Sequence, residues 1–184
     1  MKTIFQQNKP FFLFLLKFIV FYLVFSFLYK MYLNQFDSKN LELDSITKMV
    51  AEQSYQILSI FDANAKMEPH ENEASMKLFV NNVYVSRVIE GCNAVSVMIL
   101  FAAFIFAFST HWKTTGLFIF MGILVLYVLN ISRIVLLTFA LYYYPEYDTI
   151  LHGTVFPLLI YGVVFILWIL WLKKYSGYAK NTSK

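Results

Sequence analysis

The stretch GLFIFMGILVLYVLNISRIVLLTFALYYY, residues 116–144, decides the fold class. Among its polar interruptions are Asn130, Ser132 and Arg133, and it holds no Asp, Glu or Lys. At ~1.5 Å per residue it predicts a helix of roughly 43 Å, longer than the ~30 Å hydrocarbon core that ~20 apolar residues cross. Three more apolar stretches flank it. Residues 11–29 are broken only by Lys17 and Ser26. Residues 92–108 lead into the polar step Ser109-Thr110-His111-Trp112-Lys113, and residues 154–172 are closed by Lys173-Lys174. Pro157 falls in the first turn of the last stretch, where a missing amide hydrogen costs little. The expectation is an all-α polytopic membrane protein. It is a four-helix transmembrane bundle forming a single membrane domain over residues 1–184, with segment 30–91 outside the membrane between the first two helices.

Composition agrees. The 184 residues are 59% hydrophobic, 20% aromatic and 14% charged, whereas a soluble domain carries about 25% charged residues. The length suits one compact unit. The net charge of +4 comes from dispersed basic residues, with no run tracking one face, which argues against a nucleic-acid partner. Lys2, Lys9 and Lys17 precede or enter the first apolar stretch and no small-x-small cleavage site follows, so it reads as an uncleaved signal anchor. Lys113 marks the 109–115 turn, and Lys173, Lys174, Lys180 and Lys184 mark the tail, whereas the 145–153 connection has Glu146 and Asp148 and no Lys or Arg. Cytoplasmic flanks are the basic ones. Both termini and the 109–115 turn are therefore expected in the cytoplasm, with 30–91 and 145–153 outside.

Within the outer segment, Leu43, Ile46, Val50, Ile57 and Phe61 recur near helical spacing and predict an amphipathic helix over 44–61. Pro69-His70-Glu71-Asn72-Glu73 reads as an exposed turn. The Val-rich stretch 79–89 fits either a short strand or a lead-in to the second helix.

This topology sends three unusual residues to one membrane boundary. Cys92, the only cysteine, opens the second apolar stretch. Arg133 lies roughly 25 Å along the third from its inner end, and His152 closes the outer 145–153 loop. A thiolate is a strong nucleophile, but a free thiol with pKa ~8.5 is only a few per cent ionised at neutral pH. A helix N-terminus and a guanidinium both favour the anion. Arg133 can also hold the oxyanion formed when a carbonyl is attacked, and His152 can take and return the proton. The bland readings are a buried packing cysteine, a solvated loop histidine and an arginine snorkelling to headgroups. Asn130 shares a helix face with Arg133 and can hold the guanidinium, a substrate carbonyl or a neighbouring helix. Glu90 can pair with Arg133, orient His152 or sit in solvent as a surface carboxylate. Cys92 with His152 is too few ligands for structural zinc, and His70 with Glu68, Glu71 and Glu73 reads as a solvated charge cluster. With no glycine-rich phosphate loop and no serine elbow, no cofactor or metal is expected.

Glu90-Gly91-Cys92-Asn93, Asn130-Ile131-Ser132-Arg133-Ile134 and His152 ahead of the last helix, in that order, resemble short bacterial members of the exosortase/archaeosortase family. The resemblance covers residues 91–172. It implies a membrane-embedded cysteine transpeptidase or protease of the cytoplasmic (inner) membrane, with its active site facing outside. Its partners would be the lipid bilayer and exported proteins bearing a C-terminal sorting signal, namely a short motif, an apolar helix and a basic end. By the same resemblance Cys92 is the nucleophile, Arg133 the oxyanion or thiolate stabiliser and His152 the acid/base, and the acceptor nucleophile is unassigned. Many relatives have Gly two positions after the cysteine, where this chain has Ala94. If that Gly admits substrate closely, the pocket here differs. The alternative from another class is a non-enzymatic membrane assembly or partner-binding protein, with Cys92 as a packing residue and Asn130 and Arg133 as glue between helices.

Overall fold

The computed structural model describes residues 8–36, 41–109 and 111–174. Lys2, Lys180 and Lys184, which entered the charge argument, lie outside the described residues. The chain is mostly helical, with α1 (Lys9–Leu33), α2 (Ser45–Phe61), α3 (Val95–Ala107), α4 (Trp112–Tyr143) and α5 (Phe156–Lys174). Strands β1 (Lys66–Pro69), β2 (Ser75–Val80) and β3 (Val83–Ile89) stand between α2 and α3. Among the described residues, three helical segments are long and apolar enough to cross a membrane, Phe11–Leu33, Trp112–Tyr143 and Pro145–Lys174, as a multi-pass membrane protein requires.

Two expectations are corrected. The protein is not all-α, because segment 30–91 contains a three-stranded antiparallel sheet of order β1-β2-β3. Nor does a helix run over 92–108. The chain from Glu90 to Asn93 winds as a 3-10 turn, Ala94 takes the left-handed conformation at φ 60° and ψ 10°, and only then does α3 begin. The 13 residues of α3 span about 20 Å at ~1.5 Å per residue, short of a ~30 Å hydrocarbon core.

The chain divides into two compact units. One takes in the described residues up to Met31, those within Val95–Val125 and those from Gly162. Aromatic contacts fill it. Phe14 stacks on Phe108 at 4.1 Å and Phe104 on Trp168 at 4.2 Å. Gly122 lies so close to the Phe101 ring that any Cβ there would collide with it. Leu16, Leu23 and Phe27 of α1 are each more than half exposed. Apolar exposure on that scale suits contact with lipid better than with water.

The second unit is Tyr32–Ala94 with Leu126–Tyr161. Its α2 is capped by Asp44, whose carboxylate accepts from the amides of Ile46 and Thr47 at 3.1 and 3.0 Å. The amphipathic helix expected over 44–61 is present, with Thr47, Val50, Ala51, Ser54 and Leu58 as its buried stripe. Phe61 is instead 72% exposed, edge-on to Phe139. Of the two readings of 79–89 the strand prevails. Asn81 and Asn82, at φ 49° and 62°, make the two-residue type I′ turn that joins β2 to β3. The turn at 69–73 links β1 to β2 and is tied down by Lys77 on Glu71 at 2.6 Å and Arg87 on Glu73 at 2.7 Å. The Lys77 ammonium holds the Glu71 carboxyl below the usual carboxylate range.

The core of this unit joins Val50, Ala51 and Leu58 of α2, Met76 and Leu78 of β2 and Val88 of β3 to Ile131, Ile134 and Val135 of α4. Here is the reason for the long apolar stretch. The 32 residues of α4 make about 48 Å of helix, and its distal half supplies one wall of a core shared with the sheet.

Candidate active site

A cavity of about 610 Å³ opens within the second unit, inside the range of roughly 300–1,000 Å³ usual for ligand sites. One wall is β3 and the turn after it. The other is the α4 face bearing Arg133, Leu137 and Leu141, and the cavity is closed by Pro145, Asp148 and His152. Cys92, Arg133 and His152, from three segments distant in sequence, all line it.

Cys92 reaches the cavity by following β3. It is a free thiol, 7% exposed, in the 3-10 turn three residues ahead of α3 rather than at that helix's first residue. The backbone around it is fastened twice. Asn130, fully buried on α4, donates from Nδ2 to the Cys92 carbonyl at 2.7 Å. Asn93 donates to Thr47 Oγ1 on α2 at 2.9 Å. Asn130 therefore positions the cysteine, and its link goes to the backbone rather than to Arg133. Removing a donor from a buried carbonyl costs about 1–3 kcal/mol. Asn130→Ala is accordingly expected to lower stability in detergent by that amount in a denaturant titration, with Cys92 alkylation faster as the turn loosens. Unchanged stability and labelling would contradict the positioning role.

Ala94 explains the glycine expected at its position. Its φ of 60° lies where glycine costs nothing and a Cβ costs about 1 kcal/mol or more. The position thus has a backbone reason to favour glycine that needs no close approach by substrate. Ala94→Gly is expected to raise stability by about 0.5–1 kcal/mol, the strain relieved less the extra freedom glycine gains in the unfolded chain. A loss of stability in the same titration would refute this account.

Arg133 is half-buried, one turn beyond Asn130, and its buried Nε finds no hydrogen-bond partner among the described residues. An unsatisfied donor of this kind is costly in a resting protein and useful when a ligand supplies the acceptor. His152 is exposed at the cavity mouth, in a π-helical turn, Leu151–Val155, that leads into α5. Single π turns of this kind recur at functional sites. The 145–153 connection is thus helical rather than an open loop. Glu90 is exposed, does not line the cavity and makes no ion pair among the described residues, so it stands apart from Arg133 and His152.

Two cavity hydroxyls escaped the sequence reading. Ser86 of β3 and Thr138 of α4 meet at 2.8 Å, and Thr138 also donates to the Ile134 carbonyl at 2.8 Å. With the Thr138 proton engaged there, Ser86 is the donor of the pair, and the bond spans the two walls. Thr138 stands five residues after Arg133, a fully buried hydroxyl in an apolar run. Neither hydroxyl carried a signal that a sequence pattern records.

Among known proteins, a family model described as Transmembrane exosortase (Exosortase_EpsH) matches residues 10–173. No curated protein and no solved structure matches the chain. The family match covers most of the chain, beginning well before the 91–172 region that carried the motifs and including the cavity residues from β3 to His152. The chain belongs to the transmembrane exosortase family.

Proposed function

We propose that this protein is a membrane-embedded cysteine transpeptidase or protease that cleaves the C-terminal sorting signals of exported proteins through a thioester on Cys92. The observation that supports the reading is the shared cavity, whose lining includes a lone thiol, an arginine with an Nε unpartnered among the described residues and a histidine. Cys92 gives its proton to His152, and the sulfur attacks the scissile carbonyl carbon. The carbonyl electron pair moves to oxygen, where Arg133 stabilises the negative charge. Collapse re-forms the C=O bond and breaks the C–N bond, and the leaving amine takes the proton from His152. The thioester is resolved by an acceptor, water or another nucleophile, which gives its proton to His152 and attacks the thioester carbonyl; the C–S bond breaks, and the departing thiolate takes the proton back from His152.

The substrate would be an exported protein whose signal ends in an apolar helix and a basic tail. Basic Lys113, Lys173 and Lys174 against acidic Glu146 and Asp148 support cytoplasmic termini in the inner membrane with the cavity opening outside. In this topology α3 is a fourth membrane-embedded helix, with Phe101, Ala103 and Ile105 sheltered by protein.

Because the chain has one cysteine, alkylation tests the proposal without mutation. Iodoacetamide that modifies one thiol per chain is expected to stop precursor processing in membranes. Continued processing by fully alkylated chains would favour the non-enzymatic assembly protein, in which Cys92 is buried only for packing.

A further inference from the structure

We infer that the free edge of β3 is the docking site for the substrate backbone: an extended peptide pairs with it as a fourth strand and is thereby led to Cys92. This rests on the catalytic reading of Cys92 and names how that site takes its substrate.

Four observations carry it. In the order β1-β2-β3 the outer side of β3 has no partner strand among the described residues. Side chains of successive, regularly paired strand residues point to opposite faces, yet both Val83 and Tyr84 ahead of the register shift and both Ser86 and Arg87 after it line the cavity. An opening lined by both parities runs along the strand's edge, where its unpaired amides and carbonyls lie.

The edge is also poorly defended. Natural sheets blunt such edges with proline, charge or short length. Here the strand is seven residues long without proline, Val83 and Tyr84 are 53% and 45% exposed, and its one charge, Arg87, is engaged by Glu73. A register shift pairs Tyr84 with Phe79 and Ser86 with Leu78 and leaves Val85 without a partner on β2. Bulges of this kind occur beside active sites, where they redirect a strand.

The last observation is connectivity. Cys92 comes three residues after Ile89 ends β3. A peptide held along this edge has its register fixed relative to the sulfur by a single turn. Main-chain bonds supply affinity for many sequences, and alternate side chains supply selectivity. The occupant is therefore an extended polypeptide segment, the part of the substrate just before its apolar helix.

The test uses a precursor that accumulates in cells whose chain carries Cys92→Ala. That chain has no thiol, so single cysteines can be introduced as Arg87→Cys or Ile89→Cys, two cavity-lining positions on the regularly paired part of β3. Each is oxidised against precursors bearing one cysteine at successive positions ahead of the apolar helix. Paired strands bring side chains within disulfide reach. The two-residue step from Arg87 to Ile89 is expected to move the preferred cross-link by two residues on the precursor. Cross-links that do not move, or that form better with Leu141→Cys on the opposite wall, overturn the inference.

A second measurement leaves β3 untouched. Proline placed along the precursor is expected to slow processing by the unmodified chain at least tenfold at alternate positions. Loss at one position only, or at none, also overturns strand pairing. If no precursor accumulates with Cys92→Ala, the catalytic reading fails first. If precursor accumulates without register, only the docking mode fails.

Discussion

Cells whose chain carries Cys92→Ala are expected to hold substrate precursors uncleaved, with processing slowed on the order of 10⁴-fold or more. Loss of the nucleophile removes the covalent route altogether. What remains in such enzymes is binding and charge stabilisation, a small residue of the full rate. The substitution is structurally mild. Cys92 is held through its carbonyl, which accepts from Asn130, and alanine keeps that carbonyl. The missing sulfur borders a cavity that is already open, so destabilisation stays near the low end for core truncations, about 1 kcal/mol. The variant should reach the membrane at normal abundance, which separates failed chemistry from failed folding. Processing at the normal rate by an inserted Cys92→Ala chain would end the proposal.

The elements legible in the sequence were those written in a single period. The apolar stretches foretold α1, α4 and α5, and the spacing around Val50 foretold α2. The sheet was harder. Its β1 is Lys-Met-Glu-Pro, with no alternation to read. The β2–β3 turn is Asn-Asn rather than a glycine-containing pair, so 79–89 did not announce a hairpin. The start of α3 was hidden for another reason. Apart from Asn93, apolar letters continue from Cys92 through Ala94 into Val95, and what delays the helix is the positive φ of Ala94, a tertiary outcome. The surplus length of α4 was legible, but its cause was not, because its partners Val50, Leu78 and Val88 are scattered over the outer segment.

The site divides along similar lines. Cys92, Arg133 and His152 stood out because an apolar chain makes such residues conspicuous, and all three line one cavity. Asn130 was ambiguous since its partner is a backbone carbonyl, which no side-chain pattern records. Ser86 and Thr138 were invisible because hydroxyls are common in strands and helices. Glu90 was singled out by nearness in sequence to Cys92. Being at the start of a 3-10 turn turned it to the surface.

Arg133→Lys is expected to slow processing about 10²–10³-fold while leaving the protein inserted and stable, the loss typical when one oxyanion donor is removed. This substitution separates the two explanations of an arginine near a membrane boundary. If Arg133 only anchors α4 by snorkelling, lysine serves as well, because both side chains bury an aliphatic stem and place a charge at the headgroups. If it stabilises the tetrahedral oxyanion, lysine does not serve. An ammonium is a point charge on a flexible stem, whereas guanidinium presents a planar fork of fixed donors. The buried Nε of Arg133, without a partner among the described residues, belongs to that fork and has no counterpart in lysine. Pulse-chase rates of precursor conversion give the answer directly. A rate within about threefold of normal would leave charge alone as the contribution of Arg133, and the oxyanion would then need a different donor.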